Sequence, residues 1–390
     1  MSTDTILFEQ SVAAYPDGVI YKDFAWPGSL ALLPGGKLLA AFNSYRMKAD
    51  GFLIPEALGI YSDDGGRTWE APQMLFGGEG LSATSSDPNE EYCDPSIVIV
   101  NERVVHLYAV SRRHIPGSWN LSRTWTWRRV SADGGLTFGA PERMPTPRRY
   151  ISGTVKPGLR LRNGSVIRPY DWDIPAERGR PVGTQGTMES ACGFFISNDD
   201  GQSWQASVDL HIIAEKGRSE LMEAAAGLCE PAAVELPDGE LFALFRTSAN
   251  RLWQSRSRDR GWTWLPPEPS PLESNDCPAA LLRLDDGAVL VVYNDHPTLR
   301  ARLSTRLSTD DCRTWGPPKL IGPDGHPDIP EGSYPQACHL QDGAIVVVYT
   351  QTRAVIEESH GASLPDWMAE DERYHIRCAR FNRAWVEEGL

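Results

Sequence analysis

The sequence predicts an all-β fold assembled from repeated β-blades, either a propeller or an array. Three observations carry this. Six hairpin-like segments recur along the 390 residues, each with alternating apolar residues on both sides of a tight turn. A second motif, Ser-x-Asp-x-Gly-x-Thr/Ser-aromatic, recurs in step with them. Turn-formers are plentiful, with 35 Gly and 30 Pro, as many short strands require.

The unit is clearest at 228–248, LCEPAAVELPDGELFALFRTS. Two apolar, alternating runs flank Pro237-Asp238-Gly239, which reads as strand, tight turn and returning strand. Glu230 opens the first strand and Arg246 ends the second, and antiparallel pairing brings both to one end of the hairpin. Five more hairpins follow the same plan: LALLPGGKLLAAF about Gly35, IVIVNERVVHLYAV about Asn101, LRLRNGSVIRPY about Asn163, LRLDDGAVLVVY about Asp286 and HLQDGAIVVVY about Asp342. Their spacing, roughly 50 to 75 residues, is that of blades.

The second motif starts at Ser62, Ser131, Ser197, Ser257 and Ser308, with Cys312 replacing the glycine in the last copy. Its Asp and Ser can satisfy turn amides, its Gly takes a positive φ, and its aromatic can tuck under the next strand. The acidic, glycine-rich turns lack the ligand count and spacing of a calcium loop, so they are assigned to folding. Residues 6–23 hold short strand candidates, and 373–386 (RYHIRCARFNRAWV) alternate like a strand. Together they are expected to complete the last blade and hide its free edge. Residues 358–372 read as a loop, and 205–227 as a connection holding a short helix beside the site. A single domain over 1–390 is expected.

Hydrophobic content of 41% and charge of 23% fit a soluble globular chain. A net charge of −14 argues against nucleic acid or an anionic membrane as partner, but leaves room for a small anion held by a few arginines. Seven scattered cysteines, none in CxxC spacing, speak against a zinc site or a disulfide framework. No metal and no cofactor are expected. The N-terminal MSTDTILFEQ lacks a basic start and an apolar run, and no window approaches a membrane span; a cytoplasmic protein is expected.

If the first strand of each hairpin lines a central channel, residues about eight before each turn gather at one mouth. These are the neighbourhoods of Ala25-Trp26-Pro27, Cys93-Asp94, Val155-Lys156, Glu230, Cys277-Pro278 and Tyr334. The ends of the second strands add Arg46, Arg112, Asp171 to Asp173, Arg246, Asn294 to His296 and Arg353. Polar groups at one end of otherwise apolar hairpins mark a site.

Five copies of the second motif in step with six hairpins resemble the Asp-box (BNR) repeats of the sialidase (neuraminidase) superfamily. The resemblance implies a six-bladed β-propeller with four antiparallel strands per blade. It also implies an exo-glycoside hydrolase releasing a terminal acidic sugar, sialic acid or a related keto-deoxy or uronic acid, from an acidic glycan or glycoside. The contexts of Glu230 in CEPAAVELPDG and Tyr334 in GSYPQACHLQDG resemble the family's base and nucleophile. By the same resemblance Asp50, in the loop after Arg46, is the acid/base, and Asp94 lies at the pocket rim. Arg246 and Arg300, with Arg302 as the alternative register, resemble the arginines that grip the substrate carboxylate.

Those residue types make chemical sense. A carboxylate nucleophile would be repelled by a sugar that carries its carboxylate at the anomeric carbon; a tyrosine hydroxyl is not. Arginines bind carboxylates through planar paired hydrogen bonds. The chain departs from the family at Phe24-Ala25-Trp26-Pro27, where another arginine is expected. Lys156, Arg112 or Arg149 could substitute, and Trp26 could stack on a sugar face. Two alternatives stay open: a uronate lyase with Tyr334 as base, and a non-catalytic carbohydrate-binding propeller.

Overall fold

The computed structural model describes residues 8–14, 27–47, 53–77, 90–115, 118–148, 150–153, 156–174, 190–212, 227–298, 300–321, 333–351 and 375–388. Their strands form six antiparallel blades, one around each hairpin. Blade 1 comprises Pro27–Leu32, Leu38–Met47, Leu53–Ser62 and Gln73–Phe76. Blade 2 comprises Glu90–Ile99, Val105–Ile115, Ser118–Ser131 and Glu142–Met144. In blade 3 the central pair is Val166–Asp173 and Ser190–Ser197. Its inner strand is interrupted (Ile151–Gly153, Leu159–Arg160), as is its outer strand (Gln205–Ala206, Leu210–His211).

Blade 4 holds Cys229–Glu235, Leu241–Arg246, Arg251–Ser257 and Glu268–Glu273. Blade 5 holds Ala280–Arg283, Val289–Asn294, Leu303–Ser308 and Lys319–Leu320. Blade 6 takes Ser333–His339, Ala344–Gln351 and His375–Asn382 from the end of the chain and its outer strand, Phe8–Ala14, from the beginning. Phe8 opposite Phe381 starts that antiparallel register. The inner strand of blade 1 packs against those of blades 2 and 6, so the blades form a closed ring. The expected six-bladed propeller is what the chain builds.

The second strand of each hairpin explains the apolar runs. In Leu38-Leu39-Ala40-Ala41-Phe42 alternate side chains point to opposite faces. Leu38, Ala40 and Phe42 pack with Val346, Val348 and Cys378 of blade 6, while Leu39 and Ala41 pack with Ile97, Leu107 and Ala109 of blade 2. A strand buried on both faces has no polar side to show, so its sequence is apolar throughout.

Each Asp box is the turn between the third and fourth strands of blades 1 to 5. In blade 4 the Ser257 hydroxyl accepts the Gly261 amide at 2.8 Å and donates to Asp259 at 2.9 Å. Asp259 in turn accepts the Thr263 amide at 2.8 Å and its hydroxyl at 2.6 Å. The closing aromatic seals the preceding blade: Trp264 stacks on Phe194 of blade 3 with ring centres 4.7 Å apart. Trp69 of blade 1 packs into the cluster shared with blade 6 and so helps shut the ring.

Blade 6 has no box; the terminal segments complete it as expected, but the closing strand stops short of its predicted end. The alternation of 373–386 does not continue as strand: Arg383–Glu387 form one helical turn, capped by the Asn382 side chain on the Trp385 amide. That turn lays Trp385 on the cluster shared with blade 5, under the Lys319 ammonium at 5.2 Å from the ring. It supplies the sealing aromatic that the Asp boxes supply elsewhere. The helix expected within 205–227 falls largely outside the described residues, as does the loop at 358–372. Among the described residues no helix is long and apolar enough to cross a membrane.

Candidate active site

The site begins with a backbone device. Pro27, Pro95, Pro157, Pro231, Pro278 and Pro335 stand one per blade, in or beside each inner strand. A proline has no N–H for the ladder, which the channel-lining strand tolerates because it is a sheet edge. Pairing slips there, with register shifts between Pro27 and Ser29, Cys93 and Ser96, Cys229 and Ala232, and Ser333 and Gln336. In three of these bulges the residue before proline is left-handed: Asp94 at φ 55°, Glu230 at 43° and Tyr334 at 53°. Asp276, two before Pro278, adopts 40°. Each costs about 1 kcal/mol or more for a residue with a side chain. Three blades bear that strain on the residue before the proline and a fourth one residue earlier, each under a polar side chain.

Arg246, ending the second strand of blade 4, ties these side chains together. Its Nη1 donates to both carboxylate oxygens of Glu230 at 3.0 Å and to the Tyr334 hydroxyl at 3.0 Å. Its Nε donates to Asp276 Oδ1 at 2.9 Å. Arg300, buried, donates from Nη2 to the Asp276 carbonyl at 3.1 Å and lies 4.0 Å from its Oδ2. The Arg300 guanidinium is also 5.9 Å from the centre of the Tyr334 ring. Side chains from blades 4, 5 and 6, with Arg246 and Tyr334 alone 88 residues apart in sequence, thus share one cluster.

The comparisons with known proteins agree with this architecture. A family model described as a BNR repeat-like domain matches residues 36–347. The chain belongs to the BNR repeat-like domain family, within the sialidase superfamily. This BNR propeller is 26% identical over 389 residues to a sialidase of Micromonospora viridifaciens, covering 92% of the chain and 51% of that protein. It therefore spans about half the length of that curated relative. A protein of unknown function from Dyadobacter fermentans superposes with a TM-score of 0.68 at 18% identity, covering 96% of this chain and 98% of that one. A Trypanosoma rangeli sialidase in complex with 2,3-difluorosialic acid, a covalent intermediate, gives 0.60 at 16%, covering 90% and 54%. Both structural likenesses show a shared fold.

The electrostatics of the BNR propeller's cluster follow from burial and pairing. Burial and the Glu230 charge push the Tyr334 hydroxyl up to about 12, with Arg246 and Arg300 pulling the other way, so Tyr334 is a phenol at neutral pH. Burial opposes the charge on Asp276, but Arg246 and then Arg300 hold its carboxyl below the usual range. Burial also works against Arg246, yet Asp276 and Glu230 keep it firmly charged.

Lys156, expected at the substrate, is only 2% exposed and donates from Nζ to the Pro335 carbonyl at 3.1 Å. It stands behind the Tyr334–Pro335 bulge, not at an open surface. Burial lowers it to about 7, against the pull of Glu230. Asp94 is buried beside Asn43 of blade 1, whose Oδ1 accepts the Asp94 amide at 2.8 Å and whose Nδ2 donates to Asp94 at 3.4 Å.

Of the two arginine registers, Arg300 joins the cluster. Arg302 is left-handed, at φ 57°, and its carbonyl accepts the Ser304 hydroxyl. Arg46 is the penultimate residue of the second strand of blade 1, opposite Ile54, and Arg112 stands opposite Glu91 in blade 2. Asp50, Trp26, Arg149 and Arg353 lie outside the described residues. Sequence reasoning missed Asp276. The signal was present in the proline that marks each inner strand, because Asp276-Cys277-Pro278 is the blade-5 counterpart of Glu230-Pro231 and Tyr334-Pro335.

Proposed function

We propose that this BNR propeller is an exo-glycosidase of the sialidase type, releasing a terminal acidic sugar through a covalent intermediate on Tyr334. One observation carries the reading: a single guanidinium nitrogen of Arg246 is 3.0 Å from both Glu230 oxygens and from the Tyr334 hydroxyl. A carboxylate and a phenol converge there from two blades. The relatives named as sialidases support the substrate class, although the chain spans only half of the curated one.

A phenol held at about 12 does not ionise by itself near neutrality, so its proton has to leave as the new bond forms. Glu230 takes that proton. The Tyr334 oxygen bonds to the anomeric carbon, the bond to the leaving group breaks, and Asp50 gives a proton to the departing oxygen. Water then attacks the same carbon with Asp50 as base, and Tyr334 leaves with its proton restored from Glu230. Two displacements return the starting configuration. Arg246 and Arg300 offer charge-assisted contacts to the substrate carboxylate.

The test is a screen of aryl glycosides of sialic acid, other keto-deoxy acids and uronic acids. On the substrate turned over, Tyr334→Phe and Glu230→Gln should each lower kcat about a thousandfold or more. A 2,3-difluoro analogue of that sugar should leave a mass adduct on the Tyr334 peptide of the parent. Turnover within a few-fold of the parent in both variants refutes the mechanism.

A further inference from the structure

The two arginines of the cluster do not face open space with their full binding capacity. Arg246 gives Nε to Asp276 and Nη1 to Glu230 and Tyr334, so among the described residues Nη2 is its one nitrogen without a partner. The side-on grip of a carboxylate by an arginine uses Nε together with a terminal nitrogen, and on Arg246 Asp276 already occupies the Nε half of it. Arg300 is drawn toward the same residue through the Asp276 carbonyl at 3.1 Å and its carboxylate at 4.0 Å.

Charge points the same way. The guanidiniums of Arg246 and Arg300 are matched one for one by the carboxylates of Glu230 and Asp276, all held in one cluster. Lys156, behind them, half-neutralises near pH 7. Asp276 is 3% exposed and left-handed at 40°. Asparagine would meet that backbone at least as readily and would still accept the Nε–H. What aspartate adds at this position is a negative charge beside the two arginines.

We propose that Asp276 is a specificity-determining residue, whose carboxylate sets the net charge offered by Arg246 and Arg300 and restricts the site to a singly charged carboxylate group over a doubly charged anion. The inference rests on reading those two arginines as the anion-binding pair of the proposed glycosidase. It assigns to one aspartate the discrimination between a sugar acid and a sulfated or phosphorylated sugar, since excess positive charge would favour the latter. An Asp-to-Asn change alters that charge with little change of shape.

The experiment is calorimetric titration of the full chain with two probes, inorganic sulfate and a 2,3-unsaturated keto-deoxy sugar acid. Asp276→Asn should bind sulfate at least tenfold more tightly than the parent and the sugar acid by a smaller factor. Asp276→Glu, which keeps the charge, should bind sulfate as weakly as the parent. A folded Asp276→Asn that binds sulfate within twofold of the parent overturns the proposal, and so does an equal gain in Asp276→Glu. Should Asp276→Asn fold poorly, its melting in sodium sulfate is compared with that in sodium chloride at equal ionic strength. Because sulfate stabilises folded proteins in general, a sulfate-over-chloride gain in the variant clearly larger than the parent's supports the proposal, and a gain equal to the parent's overturns it. None of these readouts needs turnover, so a failed glycosidase reading, seen in Tyr334→Phe, remains separable from a failed role for Asp276.

Discussion

The Asp boxes and the Tyr334 cluster are both rich in polar side chains, but they are held in opposite ways. In the box at Ser257, the hydroxyl, carboxylate and amides that satisfy one another lie within a few residues on one turn. At the cluster, Arg246 finds Glu230 at a separation of 16 residues, Asp276 at 30 and Tyr334 at 88. The box exposes its Asp and Thr and is locally self-sufficient; the cluster is part-buried to buried and solvable only by the closed ring. The first kind of polar group organises folding, and the second accumulates the strain and the unusual charge environments that chemistry requires.

That contrast predicts unequal responses to mutation. Arg246→Leu leaves the Glu230 and Asp276 carboxylates buried without their shared partner and should cost about 3–5 kcal/mol in urea unfolding. An effect below 1 kcal/mol would mean that the cluster is wet and loosely held. Next comes Lys156→Met. A lysine that titrates near 7 when folded and at 10.5 in the reference state penalises the fold fully below pH 7, and the penalty fades as pH rises toward 10.5. The stability gain of the variant over the parent should therefore shrink between pH 7 and 10; a pH-independent difference would show that Lys156 stays as charged in the fold as in the unfolded chain.

Smaller effects are expected at the boxes. Ser257→Ala removes one acceptor for the Gly261 amide and one donor to Asp259, and should cost about 1–2 kcal/mol. The Ser203 hydroxyl and amide, with the Ser197 hydroxyl, hold the Asp199 carboxyl down to about 2, and Ser131 and Thr137 hold Asp133 well below 3.8. Carboxylates depressed in the folded state contribute stability that is complete above about pH 4 and is lost as pH falls toward 2. Thermal melts between pH 5 and 2.5 should show that loss, blunted where a box serine is removed. The least change is expected from Arg302→Gln, within about 0.5 kcal/mol, whereas Arg300→Gln should behave like a lesion of the cluster.

The boxes were legible because their partners sit at fixed offsets, Ser to Asp at two residues and Asp to Thr at four. The hairpins were legible because strands buried on both faces leave long apolar runs. Glu230, Arg246 and Tyr334 could be singled out as polar residues at the ends of such runs, with a family resemblance to support them. Asp276 could not be found that way, because Asn275-Asp276-Cys277 stands in a short connection before the strand and looks like any turn. The terminal segment misled for the opposite reason. Its alternation is real as far as Asn382, but Asn382 then caps a helix, and the need to cover blade 5 turns Trp385 inward.

By itself the sequence determined the repeat: the strand periodicity, the turn chemistry and the number of blades all follow from interactions within about ten residues of one another. Only the tertiary structure decided which blade ends meet, which of two nearby arginines joins the cluster, that Lys156 is enclosed, and that an aspartate stands between Arg246 and Arg300. Those outcomes depend on closing a ring in which blades far apart in the chain share one centre, and no local pattern encodes a distance across that centre.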